Sequence, residues 1–170
     1  MLGQLKLTHR EEMIMMIQFI KHNMALALML FGLASAASVS AHDGASGVVK
    51  ARMDAMSDMA AAMKAMAKVV KGKQAYEPQL FIDNGTTIVG HSAMLVDLFP
   101  AGSKQGKSES KLLIWQQWDD FANLAQRTKI AAQGLVDMAQ QGSELRPLKK
   151  QFANLGGSCK ACHQDYRQKK

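Results

Sequence analysis

The residues with the clearest chemical potential sit near the C-terminus. Cys159-Lys160-Ala161-Cys162-His163 contains the only two cysteines of the 170-residue chain. On a helix, side chains three positions apart share a face, so both thiols would point the same way, with a histidine directly after the second. Four chemistries use cysteines at this spacing. A thioredoxin-like redox pair belongs beside a βαβ unit, and the sequence shows none. A zinc site needs two more ligands, yet there is no further cysteine, and His91 is the only other histidine well inside the region that follows the N-terminal segment. A structural disulfide fits poorly between cysteines so close on a helix. The remaining use is thioether attachment of haem through a C-x-x-C-H pattern. The two sulfurs reach the two vinyl groups of one porphyrin, and His163 is then presented to the iron at high effective concentration. The expected cofactor is therefore one covalent haem c with its iron.

Gly156-Gly157 precedes the motif by one turn. Paired glycines inside a helix cost about 1 kcal/mol each against alanine. A flat macrocycle lying against backbone gives that cost a reason, whereas a simple kink is the plainer explanation.

These residues need elements to position them. The first 41 residues are expected to be removed. Lys21 and His22 precede the apolar run Met24–Ala34, and small residues lead to Val39-Ser40-Ala41. A basic flank, a short apolar core and small residues at −3 and −1 describe a secretory signal peptide. Cleavage after Ala41 leaves a domain over 42–170, with Ala36 the second choice of site. The segment before Lys21 is long for such a peptide, and starting the chain at Met16 or Met24 would correct this. The apolar run is short for a membrane span, so no stable membrane insertion is expected after processing. Export places the protein in the periplasm.

Removing Lys6, Arg10, Lys21, Glu11 and Glu12 with that segment leaves 18 basic and 12 acidic residues. This modest positive charge favours an acidic protein partner through steering. It does not indicate nucleic acid, because no basic cluster is interleaved with aromatics. No serine, histidine and aspartate form a recognisable triad, so no enzyme is expected.

Composition points to helices. Aromatic residues make up 6% of the chain and hydrophobic residues 48%, with alanine, methionine, leucine, lysine and glutamine dominant; these lose little rotamer freedom on a helix. Val49, Arg52, Met56, Met59, Met63, Met66 and Val70 recur at spacings of three and four, which predicts a first helix over about 46–71, stopped by Gly72. Pro78 opens a second, carrying Leu80, Ile88, Met94, Leu95 and Leu98 and ending at Pro100, with Asn84-Gly85-Thr86-Thr87 as its weakest stretch. The segment 101–110 reads as an exposed crossover loop. A third helix is expected over about 111–141, ended by Gly142. A fourth is capped by Ser143 and carries Leu148, Phe152, Leu155, Cys159, Cys162 and Tyr166. The fold class is all-α, an antiparallel four-helix bundle with haem c near the C-terminal helix.

The chain resembles the class II cytochromes c, which comprise cytochrome c′ and the low-spin c-556 type. The likeness is carried by the C-terminal attachment motif followed by Tyr166-Arg167, by the Arg52-to-Met56 spacing, by Leu98-Phe99-Pro100-Ala101-Gly102-Ser103, and by Trp115 with Trp118-Asp119-Asp120-Phe121. The resemblance implies His163 as proximal iron ligand. In cytochrome c′ the opposite face is closed by an apolar side chain; low-spin relatives place a first-helix methionine there as sixth ligand. Met53, Met56, Met59 and Met63 are equal candidates by spacing, and such a stripe is ordinarily core filling. The resemblance singles out Met56. His91 is a weaker distal candidate.

Arg52, on the same stripe, is expected to contact a haem propionate through its planar fork, the plainer alternative being a surface arginine paired with Asp54 or Asp58. Arg167, one turn after His163, either modulates the proximal side or complements the helix end. Lys160, Arg167, Lys169 and Lys170 form a basic rim suited to an acidic redox partner. The resulting expectation is a periplasmic electron carrier. The competing reading is a five-coordinate cytochrome c′ that binds nitric oxide or carbon monoxide, and a third is a haem subunit of a larger redox complex. The resemblance also implies homodimers formed through the first helix.

Overall fold

The computed structural model describes residues 45–104 and 106–168. The expected signal peptide, with its cleavage site and alternative starts, lies outside the described residues, as do Lys169 and Lys170. Among the described residues there are five helices: α1 (Gly47–Val70), α2 (Pro78–Ala93), a short α3 (Leu113–Gln116), α4 (Trp118–Gln140) and α5 (Leu145–Tyr166), with a 3₁₀ turn over Val96–Leu98. The four long helices form the bundle. Among the described residues there is no strand, only an isolated bridge between Ser110 and Arg167.

The helix ends follow local chemistry. Gly72 and Gly142 both adopt φ of +72°, which only glycine takes without strain. At each, the next amide turns back on the helix: Lys73 N donates to Lys68 O and Ser143 N to Met138 O, the Schellman closure. Ser143 therefore finishes α4 rather than capping α5, whose N-cap is Glu144.

The expected third helix is broken at Gln117 (φ −125°, ψ 51°). Two anchors hold α3 at its own angle: Ile114 is buried, and the Trp115 indole N–H donates to Phe99 O and Pro100 O. Asp119 and Asp120 then open α4, where carboxylates suit the helix N-terminus.

The Asn84–Thr87 stretch is helical after all. Asn84 and Thr87 bond back to Leu80 O and Asp83 O, and Gly85 lets α2 press against α4. A Cβ on Gly85 would lie 2.6 Å from Val136 Cγ2. Along α1 the buried line runs through Val49, Arg52, Ala55, Met59, Ala62, Met66 and Val69. Met56 and Met63 sit one step round from it, half-buried.

The core has two parts. One is aliphatic, with Met66, Ile88, Leu135, Leu148 and Leu155 at its centre. The other is aromatic and lies towards the end of α5. Phe99 meets Phe121 at 4.7 Å between ring centres, and Phe121 meets Tyr166 at 5.5 Å. Met56 packs against both parts, and Cys162 against the second.

Candidate haem site

Cys159, Cys162 and His163 lie on the last two turns of α5. Both cysteines are free and half-buried. Burial raises both thiol pKa values. Cys162 is pushed up to about 11, first by burial and then by Cys159 and Asp165; at Cys159 burial outweighs the opposing hydrogen bonds. A redox thiol pair needs the reverse, since the thiolate is its nucleophile. His163 keeps an exposed edge. Its surroundings and Arg167 push it below the ordinary imidazole value, with Glu109 pulling the other way. That favours the neutral imidazole a metal requires.

The glycine pair divides. Gly157 lines a groove between α4 and α5 with Gly134 and Gln151. Gly156 faces α1, where a Cβ would make only ordinary contact, 3.8 Å from Met63 Cε. Protein packing therefore forbids a side chain at neither, and only Gly156 lies on the α1 side of the helix.

The methionines also separate. Ser92 Oγ on α2 donates to Met59 Sδ at 3.8 Å, so Met59 is turned towards α2. Met63 reaches the Gly156 turn. Met56 packs into the same aromatic cluster as Cys162. His91 pairs with Asp58 across α1 and α2 at 3.3 Å.

Arg52 turns into the bundle. It is 4% exposed and its carbon lies 3.9 Å above the Phe99 ring. Nε and Nη2 donate to Leu98 O, Nη2 also to Ser103 Oγ, and Nη1 to Ser108 Oγ and Ser110 Oγ. All five N–H groups of the fork are thus engaged by neutral protein oxygens. A cage of carbonyl and hydroxyl oxygens holds the bundle-facing guanidinium, and its burial lowers the guanidinium pKa. The crossover segment is correspondingly less exposed than expected, with Ser110 6% exposed. The partners Ser103, Ser108 and Ser110 were missed; the signal was three serines in a loop facing an arginine on an apolar stripe.

The residues fit haem c: two free thiols on one turn, a histidine after them, and a glycine one turn before whose missing side chain no protein atom requires. Residues 47–167 match the family model described as Cytochrome C′. The chain belongs to the cytochrome c′ family. It is 32% identical over 124 residues to cytochrome c-556 from Agrobacterium tumefaciens (strain II Chrys), covering 73% of this chain and 99% of the relative. Cytochrome c′ from Shewanella frigidimarina superposes with a TM-score of 0.67 at 29% identity, covering 72% of this chain and 94% of the other. A nitric oxide complex of a mutant cytochrome c′ from Alcaligenes xylosoxidans gives 0.65 at 31%, with the same coverage. The cofactor of this family is covalently attached haem c with its iron.

Proposed function

We propose that this protein is a periplasmic electron carrier with one low-spin haem c, attached through Cys159 and Cys162, with His163 as proximal ligand and Met56 as distal ligand. The observation that carries the distal assignment is the placement of Met56 against the aromatic cluster that also receives Cys162, while the sulfur of Met59 is engaged by Ser92. The haem supplies an iron that takes up and releases one electron. The chain's own part is to hold it. The cysteines fix its edge, His163 gives an uncharged nitrogen, and the Phe99–Phe121–Tyr166 cluster keeps water from that end of the bundle. Thioether ligation raises the reduction potential relative to two histidines, and a six-coordinate iron changes geometry little on electron transfer.

Lys160, within the attachment turn, and Arg167, just after α5, are exposed. They suit an acidic redox partner, whose approach is steered by the opposite charge. Among the described residues no three or more histidine, cysteine, aspartate or glutamate side chains gather to hold a metal ion by themselves.

Visible absorption of the haem-loaded protein tests the ligation. Sharp low-spin bands and a methionine–iron charge-transfer band are expected, and Met56→Ala should abolish the latter. A high-spin spectrum that is indifferent to this substitution would give the distal face to an exogenous gas instead. The nitric oxide complex of the Alcaligenes protein keeps that reading specific.

A further inference from the structure

The segment joining α2 to α3 is fastened by two arginines, Arg52 on α1 and Arg167 just past the end of α5, the two helices that carry the proposed iron ligands. Arg52 stands one turn before Met56. It reaches Leu98 O at 2.7 Å, Ser103 Oγ at 2.8 Å, Ser108 Oγ at 3.0 Å and Ser110 Oγ at 2.9 Å. Arg167 stands one turn after His163 and pairs with Glu109 at 2.8 Å. Between the two fastenings the backbone forms a short ladder with the end of α5. Ser110 bridges to Arg167, Lys111 N donates to Tyr166 O at 2.9 Å, and Gln168 N donates to Glu109 O at 2.8 Å. Ser110 is the node, with its side chain held from α1 and its backbone held from α5. Elsewhere the backbones of α1 and α5 approach each other at few positions, so this indirect route adds to the side-chain packing of Met56 and Met63 between them.

We infer that residues 108–111 form a tie that sets the position of α1 relative to the end of α5, with Arg52, Ser110 and Glu109 acting as positioning residues for the Met56–His163 axis. The inference rests on the proposed Met56 ligation. A thioether is an uncharged donor held only by the helix that carries it, so a displacement of α1 loosens that bond before it touches the thioethers or His163, which travel together on α5. The buried guanidinium makes the tie stiff, because breaking any one of its hydrogen bonds strands a buried polar group.

The test uses the full haem-loaded chain. Arg52→Lys keeps the charge and loses the fork; Ser110→Ala removes one acceptor without altering the backbone ladder. Two signals are read: hydrogen exchange at the Lys111 and Gln168 amides, and the intensity of the methionine–iron band. Both variants should speed exchange at these two amides roughly tenfold, through easier local opening, and weaken the band, although neither residue is a ligand. Glu109→Gln should act in the same direction more weakly, and it carries the test should Arg52→Lys not fold. Unchanged exchange at Lys111 and Gln168 in both variants overturns the tie. Faster exchange with an undiminished band overturns its role in positioning Met56. Failure of the Met56 reading is separately visible, as absence of the band from the unsubstituted protein, and the exchange result then decides the tie alone.

Discussion

The α2–α4 seam and the α1–α5 face of this bundle use glycine for opposite reasons. At the seam, the position a Cβ on Gly85 would take is already occupied by Val136 Cγ2, 2.6 Å away. The protein itself explains that glycine. On α5, a Cβ at Gly156 would find only Met63 Cε at 3.8 Å, and at Gly157 nothing within 4 Å. Helix propensity there favours alanine, and no neighbour objects. The difference teaches how to read such residues: a glycine accounted for by a neighbouring side chain is packing, whereas an unaccounted one beside two free thiols points to a group that is not polypeptide.

The largest effect is expected at the seam. Gly85→Ala gains helix propensity, but the overlap outweighs it, and Val136 is β-branched with little freedom to turn aside on a helix. The expected net loss is about 2 kcal/mol, measured by denaturant unfolding. Combining it with Val136→Ala should cost less than the sum of the single changes, as for any pair in contact. Strict additivity would mean that α2 and α4 are not set by this contact.

Next comes the α5 pair, which sharpens the comparison because one glycine serves as control for the other. In the haem-free chain, Gly156→Ala and Gly157→Ala should each stabilise by about 1 kcal/mol. With haem attached, Gly157→Ala should keep its gain, since it faces the α4 groove, while Gly156→Ala should lose it and disturb the haem absorption. Thermal unfolding of both forms checks this. Equal gains at Gly156 in the two forms would reduce that residue to an ordinary weak point of the helix.

The same contrast explains what was legible in the sequence. Elements governed by local chemistry could be read: Gly72 and Gly142 as stops, Pro78 as a start, the C-x-x-C-H turn. So could the bundle, and the family to which the attachment motif and the Arg52–Met56 spacing pointed. Features governed by partners distant in sequence could not. The break at Gln117 depends on Trp115 finding carbonyls at Phe99 and Pro100. The role of Arg52 depends on serines about fifty residues away. The buried line of α1 passes through Ala55 and Ala62 rather than Met56 and Met63, because close helix packing favours small residues and leaves the methionines at the edge facing α5.

The smallest expected effect isolates the thiols themselves. A cysteine whose folded pKa is raised stays protonated in the fold after the unfolded chain has begun to lose its proton. The folded state then binds more protons, so stability falls as pH rises. For Cys162 the window runs from its ordinary value of 9.0 to about 11, and Cys159 shifts in the same direction. In the haem-free chain the loss should be on the order of half a kcal/mol at pH 9, growing above it. Tyr76 and Tyr166, also raised by burial, add to it only above their ordinary value of 10. In the haem-loaded protein both sulfurs are thioethers with no proton to lose, so between pH 8 and 10 its stability should be flat by comparison. Parallel slopes for the two forms would mean that the thiols are not held away from solvent by the α5 turn, and the contrast between that turn and the tightly packed seam would rest on the glycines alone.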